Sequence, residues 1–286
     1  MSKNGEIIQA SIILDNNFLK NPFENYRATH NQLNKIIKHE IAHALGLKHA
    51  QDYPENNPTK AYMFTETLMS YGKNNQPLNL TYPETIMPND YDALSFMYSR
   101  NLTHSIEDNI YYIDANNFHL LTIFDQGGKD TIDASAYQGN ALINLQSADP
   151  YSDDDISQIG LYRFRIARGV NIENVIGSQG NNNITDNNSN NDIDLSHSNG
   201  NSTIKISKGN DYIKLSHGIN FIIFKSDSSG YKHLSGFKSK IDKISFESYV
   251  IKPEAILAQD QSTIIKINVT IHRYHRTAVI FPQIAA

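Results

Sequence analysis

Residues 39–49 read HEIAHALGLKH. His39 and His43 stand four apart, so on a helix they share one face and both imidazoles can point at one ion. Glu40 follows the first histidine and projects toward the open side of that ion. Gly46 is the residue type that ends a helix at positive φ, and the turn it makes lets His49 return to the metal from outside the helix. Three neutral imidazoles leave the fourth position of a zinc ion to water. Zinc lowers the pKa of that water and polarises a substrate carbonyl. Glu40 can take the proton and pass it to the leaving amine. The chemistry is peptide hydrolysis with no covalent enzyme intermediate. The bland alternative is two ordinary helix histidines. The chain holds 11 His in 286 residues, so five fixed positions match by chance at odds on the order of one in ten thousand.

The elements that must carry these residues occupy the first hundred positions. Residues 7–14, IIQASIIL, read as a strand. Thr29-His30-Asn31-Gln32 forms a capping box for a helix starting near residue 30. Leu33, Ile36, Ile37, Ala44 and Leu45 have the spacing of a buried stripe. A second helix is predicted over about 89–99, after Pro88. Near residue 100 the pattern changes to short β-rich runs (IYYID, LLTIFD, DTIDAS, ALINL) set between Gly, Asn, Asp and Ser. From residue 177, Ile184, Ile193, Ile204, Ile213 and Ile222 recur at spacings of 9, 11, 9 and 9. A period near nine with one apolar anchor per repeat predicts a parallel β-roll, each coil stacking one anchor inside. An Asn-rich linker is the other reading.

Bulk composition excludes several classes. The formal charge is −5, from 25 Lys+Arg against 30 Asp+Glu, and no basic tract offers a nucleic-acid surface. With no Cys, stability outside the cell has to come from something other than disulfides, such as bound metal. The opening MSKNGEIIQASIILDNN is not a secretory signal peptide. No run approaches the ~18 apolar residues of a membrane span, so no membrane insertion is expected.

HEIAHALGLKH with ETLMSYG at 66–72 resembles the metzincins and, among them, the serralysins, secreted bacterial zinc proteases of the RTX class. The resemblance continues in YPETIMPNDYDALSFMY (82–98), FDQGGKDTIDAS (124–135), GVNIENVIGSQGNNNIT (169–185) and GINFIIF (218–224). It implies that His39, His43 and His49 ligate zinc and that Glu40 is the general base. Met69 forms an apolar floor beneath the ion. Tyr71 is an additional zinc ligand that swings to stabilise the tetrahedral intermediate. The implied fold is α+β: a partial metzincin zinc-protease domain over 1–100, then an all-β parallel β-roll over 101–286 with degenerate repeats at about 177–224.

The family repeat, Gly-Gly-x-Gly-x-Asp-x-apolar-x, binds calcium between turns, and calcium favours carboxylate oxygens. Here Asn182, Asn220 and Ser202 stand at Asp positions while Asp211 survives. Few and weak calcium sites follow, with Asp211, Asp130 and Asp133 the candidates. The alternative is a roll held by an Asn ladder and stacked apolar residues without calcium. Only 38 residues precede His39, less than the family's catalytic domain carries there, and Ala50 stands where serralysins usually have Pro.

The leading function is a secreted zinc endopeptidase acting on extended protein segments, monomeric and extracellular. It would leave the cell through a one-step export system that reads an uncleaved C-terminal signal. The C-terminus, IHRYHRTAVIFPQIAA, lacks the acidic residue usual near that signal. A truncated, inactive zinc-binding remnant and a β-roll binding module are the alternatives. His272 and His275 read as surface residues rather than a second metal site.

Overall fold

The computed structural model describes residues 11–13, 30–50, 65–70, 83–98, 105–149, 154–238, 240–247, 256–259, 262–267 and 279–280. The strand expected over 7–14 lies outside them apart from 11–13, which are not in a strand. The side chains of the Thr29–Gln32 capping box also lie outside. Helix α1 spans His30–Ala44 and α2 spans Pro88–Tyr98. At the end of α1, Leu47 N–H donates to Ala42 O at 3.0 Å and Gly46 N–H to His43 O at 2.9 Å. This is a Schellman closure with Gly46 at φ 100°, a conformation that costs glycine nothing. The expected apolar stripe is only partly buried. Ile36, Ile37 and Ala44 are half-buried and Leu45 is exposed, while Ala42 and His39 are buried. The face of α1 turned inward is the histidine face, packed through Ala42 on Met69.

Seventeen strands follow among the described residues: β1 Ile110–Tyr112, β2 His119–Ile123, β3 Thr131–Asp133, β4 Ala141–Asn144, β5 Ser157–Ile159, β6 Tyr162–Ile166, β7 Asn174–Ile176, β8 Asn182–Thr185, β9 Asp192–Asp194, β10 Ser202–Ile206, β11 Asp211–Lys214, β12 Asn220–Phe224, β13 Gly230–Ser235, β14 Lys243–Phe246, β15 Ile256–Gln259, β16 Ser262–Ile267 and β17 Val279–Ile280. They form two sheets, ordered β1-β3-β7-β9-β11-β13-β16-β15 and β17-β14-β12-β10-β8-β4-β5-β6-β2. The run from β7 to β14 alternates between the sheets and pairs parallel within each. That is a β-roll. The structure is mostly β, and no helix among the described residues is long and apolar enough to cross a membrane.

The coil differs from the expected one in a single respect. Ile184, Ile204 and Ile222 register in one sheet, and Ile193, Ile213 and Leu234 in the other. Each coil therefore contributes two anchors, because a nine-residue unit is one strand plus one turn and only two such units bring the chain back. The anchors are 0% exposed and belong to one continuous core from Ile113 to Phe246.

Asparagine ladders hold the turns. Asn140 Oδ1 accepts Asn181 N–H at 3.0 Å, Asn181 Oδ1 accepts Asn201 N–H at 2.8 Å, and Asn201 Oδ1 accepts Ile219 N–H at 2.9 Å. Asn190, Asn210 and Tyr231 repeat the pattern at the other edge. Glycine is required where the turns stack. A Cβ on Gly200 would lie 2.2 Å from the Gly180 backbone. At its far end the roll is closed by antiparallel pairing of β16 on β13 and β17 on β14, which covers strand edges otherwise open to another chain.

Candidate metal centre

The three histidines of the motif converge. His43 Nε2 lies 2.8 Å and His39 Nε2 3.2 Å from His49 Nε2, and their ligand atoms all fall within 4.8 Å of one another. Tetrahedral zinc at about 2.0–2.1 Å from each nitrogen spaces its ligands by about 3.3 Å, close to this arrangement. The opposite ring nitrogens are anchored. His39 Nδ1 contacts Leu68 O at 3.0 Å and His43 Nδ1 contacts Leu47 O at 2.8 Å. A carbonyl only accepts, so each Nδ1 carries the proton and each Nε2 presents a lone pair. The three Nε2 atoms thus converge as a donor set that fits a zinc ion. Burial pushes the His39 pKa down, ahead of the opposing Leu68 bond, which favours the neutral form that ligates. Glu40, half-buried beside His39 on α1, contributes its charge at the same place.

The segment 65–70 positions this centre from below. Met69 is 2% exposed and packs on Ala42 and Leu47. Its carbonyl accepts Ala50 N–H at 3.3 Å, so the turn grips the chain just after His49 as well as His39. The turn is shaped by Asp90, a buried carboxylate at the start of α2. Its Oδ2 accepts Leu68 N–H at 2.6 Å and Met87 N–H at 3.0 Å, and its Oδ1 accepts the Thr67 hydroxyl. Burial raises the Asp90 pKa and these three bonds oppose the rise. Tyr71 lies outside the described residues, as do His272 and His275.

The roll reaches the same turn from the other side. Arg165 on β6 is 0% exposed. Its guanidinium donates to Glu66, to Asp155 Oδ1 and Oδ2 at 2.7 Å, to Thr65 O at 3.1 Å and to Asp149 O at 3.0 Å. Burial works against its charge, but Asp155 and Glu66 outweigh it and hold the pKa up. Arg168 ties α2 to the same loop through Asp92 and, at 3.0 Å, Asn89. Residues 83–98 also lie on β2. Glu84 N–H donates to Leu120 O at 2.8 Å, Thr122 N–H donates to Thr85 Oγ1 at 2.8 Å, and the Tyr91 and Phe124 rings are 4.1 Å apart. None of Asp90, Glu66, Asp155 and Arg165 stands out in the sequence, because ordinary acidic and Arg residues carry no local signature of pairing, whether ten positions apart as in Asp155–Arg165 or ninety-nine as in Glu66–Arg165.

The acidic calcium candidates have different surroundings. Asp130 is buried, and its Oδ2 has no hydrogen-bond partner among the described residues. Burial, with the charges of Asp125, Glu173 and Asp108, pushes its pKa up to about 6 against one Asn109 N–H bond. An acidic group this compressed suits a hard cation. Asp133 instead closes its own turn, accepting Ser135 N–H at 2.9 Å. Asp211, expected among the calcium ligands, is committed to the buried ammonium of Lys232. Asn182 and Asn220 turn their amide nitrogens, not their oxygens, toward the turn carbonyls.

Comparison with known proteins agrees with this architecture. The family described as Peptidase M10 serralysin C terminal matches residues 102–278. Serralysin A of Dickeya chrysanthemi is 34% identical over 167 residues, covering 51% of this chain and 34% of that protein. A serralysin of Photorhabdus laumondii subsp. laumondii is 34% identical over 174 residues, 51% of this chain and 35% of the relative. One from Proteus mirabilis is 30% identical over 168 residues, 51% and 33%. The matched stretch thus spans about a third of the length of these relatives. With the family match running through most of the roll, the chain belongs to the serralysin family of M10 peptidases.

Proposed function

We propose that this chain carries the zinc centre and the β-roll of a secreted metalloendopeptidase that cleaves extended protein segments. The observation that carries the reading is the meeting of His39, His43 and His49 through Nε2, with two Nδ1 atoms fixed on backbone carbonyls. A zinc ion held there supplies Lewis acidity for water and for the scissile carbonyl. Glu40 accepts the proton of the attacking water on its carboxylate and returns it to the leaving amine nitrogen. Met69 and the bonded turn beneath it keep the ligand rings from rotating, and Tyr71 donates a hydrogen bond to the developing oxyanion. A metzincin catalytic domain over residues 1–100, a monomeric state, and export to the extracellular medium through a one-step system belong to the same reading. So does calcium at Asp130.

The test has two arms on the full chain. Metal analysis after dialysis against zinc measures uptake, with one equivalent expected and loss on His43→Ala. Hydrolysis of an unfolded protein measures catalysis, with Glu40→Ala expected to lower the rate by at least about a hundredfold while zinc uptake is retained. Activity that survives Glu40→Ala refutes the mechanism. Zinc uptake with no activity in the wild type leaves a metal-binding remnant as the function.

A further inference from the structure

The turns of the roll hold two cations of their own. Asp211 on β11 registers with Lys232 on β13, so Lys232 stands one coil on at the repeat position that Asp211 fills. Lys232 is 0% exposed. Its Nζ donates to Gly209 O at 2.8 Å and to Asp211 Oδ2. The other oxygen of Asp211 accepts Asn191 N–H at 3.0 Å. A second cage is built by the turn at 216–218. Three consecutive carbonyls, of Ser216, His217 and Gly218, accept from Lys238 Nζ, the first two at 3.0 and 2.9 Å. The buried carboxylate of Asp242 lies 3.9 Å from the same ammonium and accepts Asn220 N–H at 2.9 Å.

Turn carbonyls grouped with a carboxylate are the donor set of a hard cation. An ammonium brings one positive charge and three donors to the same set, and here it is already covalently in place. The neighbouring turns are filled by neutral donors. Asn182 Nδ2 gives to Ser178 O at 2.9 Å and Gly180 O at 3.0 Å, and Ser198 Oγ gives to Gly180 O at 2.7 Å. A calcium ion entering these turns would meet N–H and O–H groups, or would have to expel an ammonium: at Lys232 a fully buried one from its carboxylate, which is strongly unfavourable, and at Lys238 a part-exposed one from three carbonyls. The residues present do not fit calcium. We propose that Lys232 and Lys238 are tethered cations that hold the turns of residues 202–247 in place of calcium, so that this part of the roll stays folded without metal.

Amide hydrogen exchange on the full chain tests this locally, apart from any zinc or calcium bound elsewhere. In the wild type, rates for amides within 202–224 should agree within about twofold between chelator and millimolar calcium. Lys238→Ala should exchange at least about tenfold faster around Gly218 and Asn220, with calcium slowing the exchange again. Lys238→Arg, which keeps a cation, should stay protected. Wild-type protection that rises with calcium overturns the proposal. So does equal behaviour of the Ala and Arg variants, whether both remain protected or both fail to fold.

Discussion

Replacing Arg165 with Met removes a buried charge that serves two carboxylates at once. The guanidinium is 0% exposed and its partners Glu66 and Asp155 are 0% and 5% exposed. Methionine approximates the stem but offers no donor. Glu66, Asp155 and the carbonyls of Thr65 and Asp149 lose their bonds to it together. Breaking a buried ion pair from one side costs about 3–5 kcal/mol, and this value is expected near neutral pH. The loss depends on pH. Burial already raises the Glu66 and Asp155 pKa values against the pull of Arg165, and without that pull they rise further. A carboxyl whose folded pKa exceeds its unfolded one binds more protons when folded, so stability falls as pH rises through that range. The deficit of Arg165→Met should therefore shrink toward acid pH, as the two carboxyls take up protons, and should grow through neutrality. Urea unfolding of both proteins at acid and neutral pH measures it, and Arg165→Met with Glu66→Gln should recover part of the neutral-pH loss. A deficit below about 1 kcal/mol, or one that does not change with pH, refutes the claim that Arg165 is the main counter-charge of this cluster, which without it keeps, among the described residues, only Arg168, 3.5 Å from Glu66.

Two further perturbations test other parts of the molecule. Asp186 is 0% exposed and burial, above all, pushes its pKa up to about 7. The folded state should lose stability from about pH 4 to pH 7, by roughly 4 kcal/mol if three pK units are fully expressed. Asp186→Asn can keep the bond from Ser207 N–H and should flatten that slope in thermal melts at several pH values. Asp90→Ala removes the acceptor of Leu68 N–H and Met87 N–H. By loosening the Leu68 carbonyl beneath His39, it should weaken zinc binding about ten- to a hundredfold in competition with a chromophoric chelator.

The convergence of the three histidines was legible because they are local. His39, His43, Gly46 and His49 sit within eleven consecutive residues, so one helix face and the turn at Gly46 bring the three rings together. The β-roll was legible from Ile184 to Ile222, but the number of anchors per coil was not, because a nine-residue period is the same whether the turns lead round one sheet or between two. The ammonium cages left a trace that is visible in retrospect. Gly209-Asn210-Asp211-Tyr212-Ile213 and Gly230-Tyr231-Lys232-His233-Leu234 are the same repeat, with a lysine where a carboxylate stands one coil earlier. That second copy lies beyond residue 224, where the isoleucine anchors give way to Leu234. Lys238 leaves no such trace, since it reaches its cage from a turn outside the nine-residue pattern.

What the sequence could not give is the support of the metal centre, which is assembled across the chain. His39 Nδ1 rests on Leu68 O, and the peptide that carries this carbonyl is held by Asp90 at the N-terminus of α2. Both α2 and the start of the 65–70 turn are tied to β6 and the loop after it through Arg168 and Arg165. A ring held by its second nitrogen has a fixed tautomer and direction, so zinc affinity at the proposed site should depend on groups more than a hundred residues away. The two arginines and Asp90 act at different distances from the ion, and their removal should fail differently. Asp90→Ala frees one carbonyl while the roll core from Ile113 to Phe246 is untouched, so zinc weakens before the fold does. Arg165→Met strands two buried carboxylates first, so the fold weakens before the metal is lost. The order in which metal and structure disappear during unfolding then separates a roll that merely adjoins the histidine site from one that holds it in shape.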